Sequence, residues 1–471
     1  MMRFKRLLVL LLVVVMVISV VACTTEQTEM GQGTEEGGAV TNEDTNNDGT
    51  VSQSITLKYA NWNLGTEEEN NIERQMIKAF MDKNPNIKIE IDSSIDPSKW
   101  DESLASAAAA GTLPDVFMIN NVPSYLANEW LYDITEFTES DSKWANIPKT
   151  ISDSIVYNGK TAAVPLQMLF LGYFINVDLF NQENVTPLEY GCSLEDFRNA
   201  AQKLTQINKN IVGLSSVDAI PDWYPSSVSE NYGYYTWDGN KYNLNSKEFI
   251  DGINFANSLW TNGYVFGALK DDVKAKIGKD DFDAWTLGHT AIKWDGTWAV
   301  PGFTNDMNFK VSFIGVPGGR IPIVLDFLGI AKSSAHAKEA YEFAKWMSFS
   351  KEGYLKRVEL AQASGQALTG LPIQDDPELV DKYFSIVSMD GVKEAYDNVS
   401  KGIVEGFKVI PGYVDSRWNA VTGIEIADKD NATIGDVISA AIQGKVKIED
   451  YAQQLNDLAN QKYQEAASAL K

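Results

Sequence analysis

From residue 55 to 60 apolar and polar side chains alternate, the period of a strand with one buried face. Residues 67–82 carry apolar side chains at Ile72, Met76, Ile77 and Phe80, one face of a helix, and Asn84-Pro85 stops it. Alternation returns at 87–91, which predicts a second strand. An Ala-rich helix is expected over 98–110, ended by Gly111, and a buried strand over 115–120. Strand, helix, strand, helix, strand at this spacing predicts an α/β layer with a largely parallel sheet. The pattern recurs: a strand over 172–176, a helix over 193–204 with Ser193 as N-cap and Asp196 near its start, and amphipathic helices over 249–259, 338–348 and 448–470.

With 471 residues the chain is too long for one ordinary core and divides into two lobes or domains. Its net charge of −24 argues against nucleic acid and against adsorption to anionic lipid, and is compatible with a neutral ligand. The two cysteines, Cys23 and Cys192, are too far apart in sequence and context to suggest a disulfide framework.

The first 22 residues read as a secretory signal: Arg3, Lys5 and Arg6, then an apolar run from Leu7 to Val21 broken only by Ser19. The run is too short for a typical membrane span, and no later run approaches that length. It ends in Ala22-Cys23, which resembles a bacterial lipobox and makes Cys23 the expected lipidated first residue of the mature chain. Losing three basic residues with the signal leaves a net charge of −27. Residues 23–53 read as a disordered acidic tether, with no Lys or Arg between Cys23 and Lys58. Within it, Asp44, Asn46, Asp48 and Gly49 match the first half of an EF-hand loop. Ile55 stands where the bidentate Glu is needed, which favours an acidic linker over a calcium site.

The usual parts of metal and nucleophile chemistry are missing. The two histidines, His289 and His336, lie in unrelated blocks, and no zinc, Walker, nucleophile-elbow or dinucleotide motif occurs. Expected cofactors and metals are none. Twelve tryptophans exceed what a core usually requires and point to a ligand with flat, stackable faces. A pyranose fits: aromatic planes stack on its C–H face, while carboxylates, amides and indole N–H groups satisfy its hydroxyls. Trp223 and Tyr224, between Pro221 and Pro225, lie in a stretch that reads as irregular rather than core. Trp237 precedes Asp238-Gly239, a hairpin-turn signal, and is expected at the surface. Trp260, Trp285, Trp294 and Trp346 read as core.

Five blocks in order then carry a resemblance over about residues 54–470. They are Phe80-Met-Asp-Lys-Asn-Pro85; Gly111-Thr-Leu-Pro114-Asp115; Val164-Pro165 with Gly172-Tyr-Phe-Ile-Asn176-Val-Asp178; Gly288-His-Thr-Ala-Ile-Lys-Trp294-Asp-Gly296-Thr-Trp298; and Gly329-Ile-Ala-Lys-Ser333 leading to Trp346. The chain resembles the extracellular carbohydrate-binding proteins of ABC importers, the group that includes maltose-binding protein. The resemblance implies a two-lobed, periplasmic-binding-protein-like (type II) α/β fold with the ligand cleft between lobes. Three hinge crossings are expected near 168–171, 324–328 and 370–374. Lobe 1 would comprise 54–169 and 326–371, and lobe 2 170–325 and 372–471.

It also implies ligand contacts. Trp298 and Trp418 match family segments that supply stacking tryptophans, and Gln167 precedes the first crossing, where the family places a polar contact. Trp62, Asn120 and Asn121 follow strands expected to end at the cleft, Asp295 adjoins Trp298, and Asp115 belongs to the family's Pro-Asp pair. With Trp223 and Tyr224 these form the candidate site. The implied protein is a monomer held to the outer face of a bacterial membrane through Cys23. It would bind a neutral oligosaccharide without turnover and pass it to the transmembrane subunits of an ABC importer. Two alternatives stay open: the same fold binding a peptide or polyamine, and a secreted glycoside hydrolase, which needs only two suitably spaced carboxylates.

Overall fold

The computed structural model describes residues 54–426 and 429–470. The expected signal, the Cys23 anchor, the tether and the Asp44–Gly49 motif lie outside them. The alternating run at the start forms β1 (Ile55–Ala60), with Leu57 and Tyr59 fully buried. β2 (Ile87–Ile91) and β3 (Val116–Ile119) pair with it in parallel on either side. β4 (Val156–Tyr157) and β5 (Lys160–Thr161) make a separate hairpin. The long strand β6 (Val164–Asn176) follows, then β7 (Val212–Leu214), β8 (Thr290–Gly296), β9 (Val311–Gly315), β10 (Pro322–Ile330) and β11 (Ile403–Val404).

The connecting helices bury one stripe each. Ile72–Lys83 buries Ile72, Met76, Ile77 and Phe80; Asn71 caps it by accepting from the Arg74 N–H. That cap, not residue 67, sets the helix start. In Leu194–Lys203 the Ser193 hydroxyl accepts from the Asp196 N–H, as its sequence predicts.

The sheet is mixed rather than largely parallel. Its order is β2-β1-β3-β10-β6-β8-β7, with β11 also on β10 and β9 also on β6. β1, β2 and β3 are mutually parallel, as are β7 and β8, but β10 and β6 run antiparallel to their neighbours in these sets. The register shows how the two parallel sets are joined. Residues Val164 to Phe170 of β6 pair with β10, and Leu171 to Asn176 pair with β8 and β9. One strand therefore leaves one set and enters the other. Leu371 also bridges to Met168, bringing a further chain segment to the same place.

Register also fixes which ends of the parallel strands meet. Ile119, the last residue of β3, pairs with Phe327, which lies opposite Pro165 of β6. Gly296, the last residue of β8, pairs with Leu171. The carboxyl ends of both sets thus point toward one another along β6. They are separated by the six residue steps from Pro165 to Leu171, about 20 Å of extended chain.

Two local expectations are corrected. Residues 220–228 are not irregular: Ile220–Val228 is a helix, and Trp223 within it is wholly buried. Pro221 lies in the first turn, where an N–H has no helical partner, and Pro225 removes one hydrogen bond that core packing compensates. Trp237 is not on a hairpin turn between strands. It follows a turn whose residues Tyr235 and Thr236 have positive φ, and it packs edge-on against Tyr242 and Tyr463. Trp285 and Trp346 are buried, and Trp260 and Trp294 pack partly buried against the core, as their positions predict. Among the described residues no helix is long and apolar enough to cross a membrane.

Candidate functional site

In open α/β sheets, loops at the carboxyl ends of parallel strands are where ligands bind. Here two such sets of loops face one another across the shared stretch of β6, and most candidate residues lie on them.

The first edge follows β1 and β3. After β1, Asn61 is buried; its Nδ2 donates to the Tyr59 hydroxyl at 2.7 Å and its Oδ1 accepts from the Asn63 N–H at 2.7 Å. These bonds fix the turn that carries Trp62. The Trp62 ring packs edge-on against Trp100, centroids 5.0 Å apart, and the Trp100 indole donates to the Met118 carbonyl at 3.2 Å. Asp101 then accepts from Asn120 Nδ2 at 3.0 and 2.9 Å and from the Tyr125 hydroxyl. Burial, reinforced by Asp101, holds the Tyr125 phenol well above its ordinary pKa, so it stays a donor. Asn121 caps Val122–Ala127 by accepting from the Ser124 N–H at 3.0 Å. The structure thus joins Trp62, Asn120 and Asn121 into one continuous edge through Trp100 and Asp101, which sequence reasoning missed.

The opposite edge follows β7 and β8. After β7, Ser215 Oγ accepts from the Trp294 N–H at 3.0 Å, and Ser216 donates to Asp218 at 2.9 Å. After β8, Asp295 accepts from the Gly296 N–H at 2.8 Å, and Thr297 Oγ1 accepts from the Phe170 N–H at 3.0 Å, tying this turn to β6. Trp298 is 44% exposed. Its ring lies over Gly296, where a Cβ would come within 2.2 Å of it, so only glycine leaves room for the plane.

Trp418 is built in the same way. It is 50% exposed, and its ring lies over Gly435, where a Cβ would approach to 2.5 Å. Its other support is Arg417, whose guanidinium is 4.8 Å from the Trp418 ring centroid and 4.5 Å from that of Tyr235. Arg417 is buried, ion-paired to Asp222, and donates to the Tyr413 hydroxyl at 2.9 Å. Burial raises the Asp222 carboxyl and Arg417 opposes the shift. Because Asp222 lies in the first turn of the helix after β7, this pair fixes Trp418 beside the carboxyl end of the second strand set.

Between the edges run the connecting strands. Gln167 and Asp326 are directly opposite in β6 and β10. Gln167 Nε2 donates to Thr369 Oγ1 at 3.0 Å, and its side chain occupies the space a Cβ at Gly370 would need. It also lines a cavity of ≈270 Å³ with Asn63, Glu73, Arg357 and Thr369. Asp326 is ion-paired to Lys408 at 2.6 Å. Asn120 and Asn121 line a second cavity, of ≈630 Å³, with Asp101, Tyr125, Phe407 and Asp415.

Three candidates lie apart. Trp223 has no exposed surface and packs against Tyr173 in the core, so it cannot meet a ligand here. Tyr224 packs against Gly252 and Phe255 on the neighbouring helix. Asp115 accepts from the Lys58 N–H and the Ser334 hydroxyl, bracing β1 to the chain after β10.

Comparison with known proteins supports the same fold and role. Residues 65–353 match the family model of bacterial extracellular solute-binding proteins. An uncharacterized ABC transporter extracellular-binding protein from Pyrococcus horikoshii is 26% identical over 361 residues, covering 72% of this chain and 79% of that protein. Among solved structures, an ABC substrate-binding protein from Listeria monocytogenes in complex with cycloalternan is 18% identical. It superposes with a TM-score of 0.64, covering 87% of this chain and 99% of that one. The cyclic alpha-maltosyl-1,6-maltose binding protein from Arthrobacter globiformis is 15% identical, with a TM-score of 0.65 and coverage of 88% and 100%. The shared fold is two α/β lobes joined by three crossings with the ligand cleft between them. These relatives are solute-binding proteins and not enzymes. The chain belongs to the bacterial extracellular solute-binding protein family.

Proposed function

We propose that this protein captures a neutral oligosaccharide between its two lobes and delivers it to an ABC importer. The observation that carries the proposal is the pair of half-exposed tryptophans, Trp298 and Trp418. Each is held over a glycine, Gly296 at the end of β8 and Gly435 in the helix Ile434–Ile442, while Trp62 and the Asn120–Asn121 loop follow the strands of the first set, across the shared stretch of β6. Planes supplied by separate segments suit consecutive sugar rings better than one ring. The oligosaccharides named for the Listeria and Arthrobacter proteins are of this class.

The state of the carboxylates favours a neutral ligand over a polyamine or a basic peptide. Asp326 is ion-paired to Lys408 and Asp222 to Arg417, and Asp295 has Lys293 Nζ at 3.8 Å. A cationic ligand would need carboxylates without such partners. We assign 54–169 and 326–371 to lobe 1 and 170–325 and 372–471 to lobe 2. Ligand binding then selects the closed state by rotation about the crossings. We further propose that the mature chain is a monomer anchored through lipidated Cys23 on the outer membrane face, with residues 24–53 as tether. Cys23→Ala should release it from the membrane fraction.

The test is a glycan panel read by intrinsic tryptophan fluorescence, followed by recovery of the bound sugar. A fluorescence change with one oligosaccharide class and intact recovered sugar are expected. Binding of cationic peptides or polyamines alone, or sugar products growing with time, would overturn the proposal.

A further inference from the structure

We propose that Phe407 and the cavity it shares with Asn120 and Asn121 form an additional subsite, taking one terminal sugar unit beyond the Trp298–Trp418 platform. This rests on the carbohydrate reading above and deepens it.

Phe407 is 39% exposed. A single exposed Phe is unremarkable on a protein surface, but this one is fixed on both sides. Before it, β11 pairs in parallel with the start of β10, and the Glu405 N–H donates to the Ile323 carbonyl at 2.8 Å. After it, Lys408 Nζ binds the Leu325 carbonyl at 3.1 Å and the Asp326 carboxylate at 2.6 Å. β11 runs parallel to β10, so the chain after it advances along β10 toward Phe327, the residue beside Ile119 at the end of β3. This brings Phe407 to the loop that carries Asn120 and Asn121.

The resulting cavity of ≈630 Å³ falls within the roughly 300–1,000 Å³ typical of small-molecule sites. Its lining has the composition a pyranose needs: the aromatic rings of Phe407 and Trp130, the amides of Asn120, Asn121 and Asn128, the Asp101 and Asp415 carboxylates and the Tyr125 hydroxyl. The polar groups are already oriented. Asp101 clamps Asn120, Asn121 is held as a helix cap, and Asp415 accepts from Asn419 at 2.9 Å. Asp415 is on the same short helical segment, Asp415–Asn419, that carries Trp418, three residues before it, so the cavity and the Trp418 plane are built on one element. The chemical class is therefore the end unit of a neutral oligosaccharide whose inner units lie on the tryptophans.

The experiment is calorimetric titration of the full chain and of Phe407→Ala and Phe407→Trp. The probes are ladders of two to six units of α-1,4-linked glucose, β-1,4-linked glucose and β-1,4-linked xylose. In wild type, affinity should rise with each added unit up to the length that fills the cavity. Phe407→Ala should abolish the last rise, weakening the longest ligand on the order of tenfold, while shorter ligands bind as to wild type. Phe407→Trp should retain the rise. Unchanged affinity at every length, or equal weakening at every length, overturns the subsite while leaving the carbohydrate reading intact. Wild type that binds none of the ladders, nor any glycan of the wider panel, removes that reading and the subsite with it.

Discussion

The Arg417–Asp222 pair supports Trp418, and its removal has a calculable consequence. Both groups are buried, and the Arg417 guanidinium also stacks near Tyr235 and bonds the Tyr413 hydroxyl. Asp222→Asn keeps the shape but leaves the arginine charge without a counter-ion in a site nearly closed to water. Losing one partner of such a pair costs about 3–5 kcal/mol. Replacing both, as in Asp222→Leu with Arg417→Met, removes the orphaned charge and should recover most of that loss. The remaining deficit should come mainly from the lost Tyr413 bond, about 1–2 kcal/mol. The assay is chemical denaturation of wild type, Asp222→Leu, Arg417→Met and the double variant, giving a coupling energy, with Asp222→Asn as the shape-preserving control. Ligand affinity measured on the same proteins should fall whenever Arg417 is replaced, because the Trp418 ring loses one of its two supports. Single-variant costs that simply add, or affinity untouched by Arg417→Met, would refute the claim that this buried pair organises the tryptophan.

Other consequences follow from individual groups. Burial pushes Glu405 up to about 7 from its ordinary 4.5, opposed by Lys408 and aided by Asp222 and Asp326. A raised folded-state pKa means the native state holds the proton more tightly. Its stabilising contribution is therefore full below about pH 4.5 and lost as pH rises through 7, about 3 kcal/mol in all. Denaturation curves of Glu405→Gln between pH 5 and 8 should lack this component of the wild-type loss. The Cys192 thiol is pushed up to about 12, by burial first and Asp196 second, so alkylation at pH 7.5 should be far slower than for a free thiol until the protein is unfolded. Gly296→Ala would place a Cβ within 2.2 Å of the Trp298 ring, and should weaken ligand binding while leaving the far-ultraviolet circular dichroism spectrum unchanged.

The sequence displayed the elements whose burial is one-sided. Residues 55–60 and 87–91 alternate because β1 and β2 each bury alternate side chains, and Ser193 announces its helix through the hydroxyl it lends to Asp196. β6 was legible only in its second half. The whole strand is buried on both faces apart from half-buried Gln167, so Val164-Pro-Leu-Gln-Met-Leu-Phe-Leu shows no period, although it is the strand that joins the two halves of the sheet. Trp223 misled because prolines at 221 and 225 imitate a loop, whereas packing supplies a helix with both in its first two turns. The expectation for Trp298 and Trp418 came from the family segments around them, and the structure shows both half-exposed. Their glycine supports at 296 and 435 are contacts between residues that no spacing rule links, and Phe407 carries no local signal. Its place depends on where β11 docks against β10.

The central claim is that aromatic planes at the facing strand ends hold an oligosaccharide. The most direct test is calorimetric titration of the best-binding glycan into wild type, Trp298→Ala and Trp418→Ala, with thermal unfolding recorded on each. Half-exposed side chains contribute little to the fold, so the melting temperatures should stay close to wild type. Each substitution should weaken binding on the order of tenfold or more. Undiminished affinity in both variants, with the fold intact, would contradict the account and leave these tryptophans without a part in ligand capture.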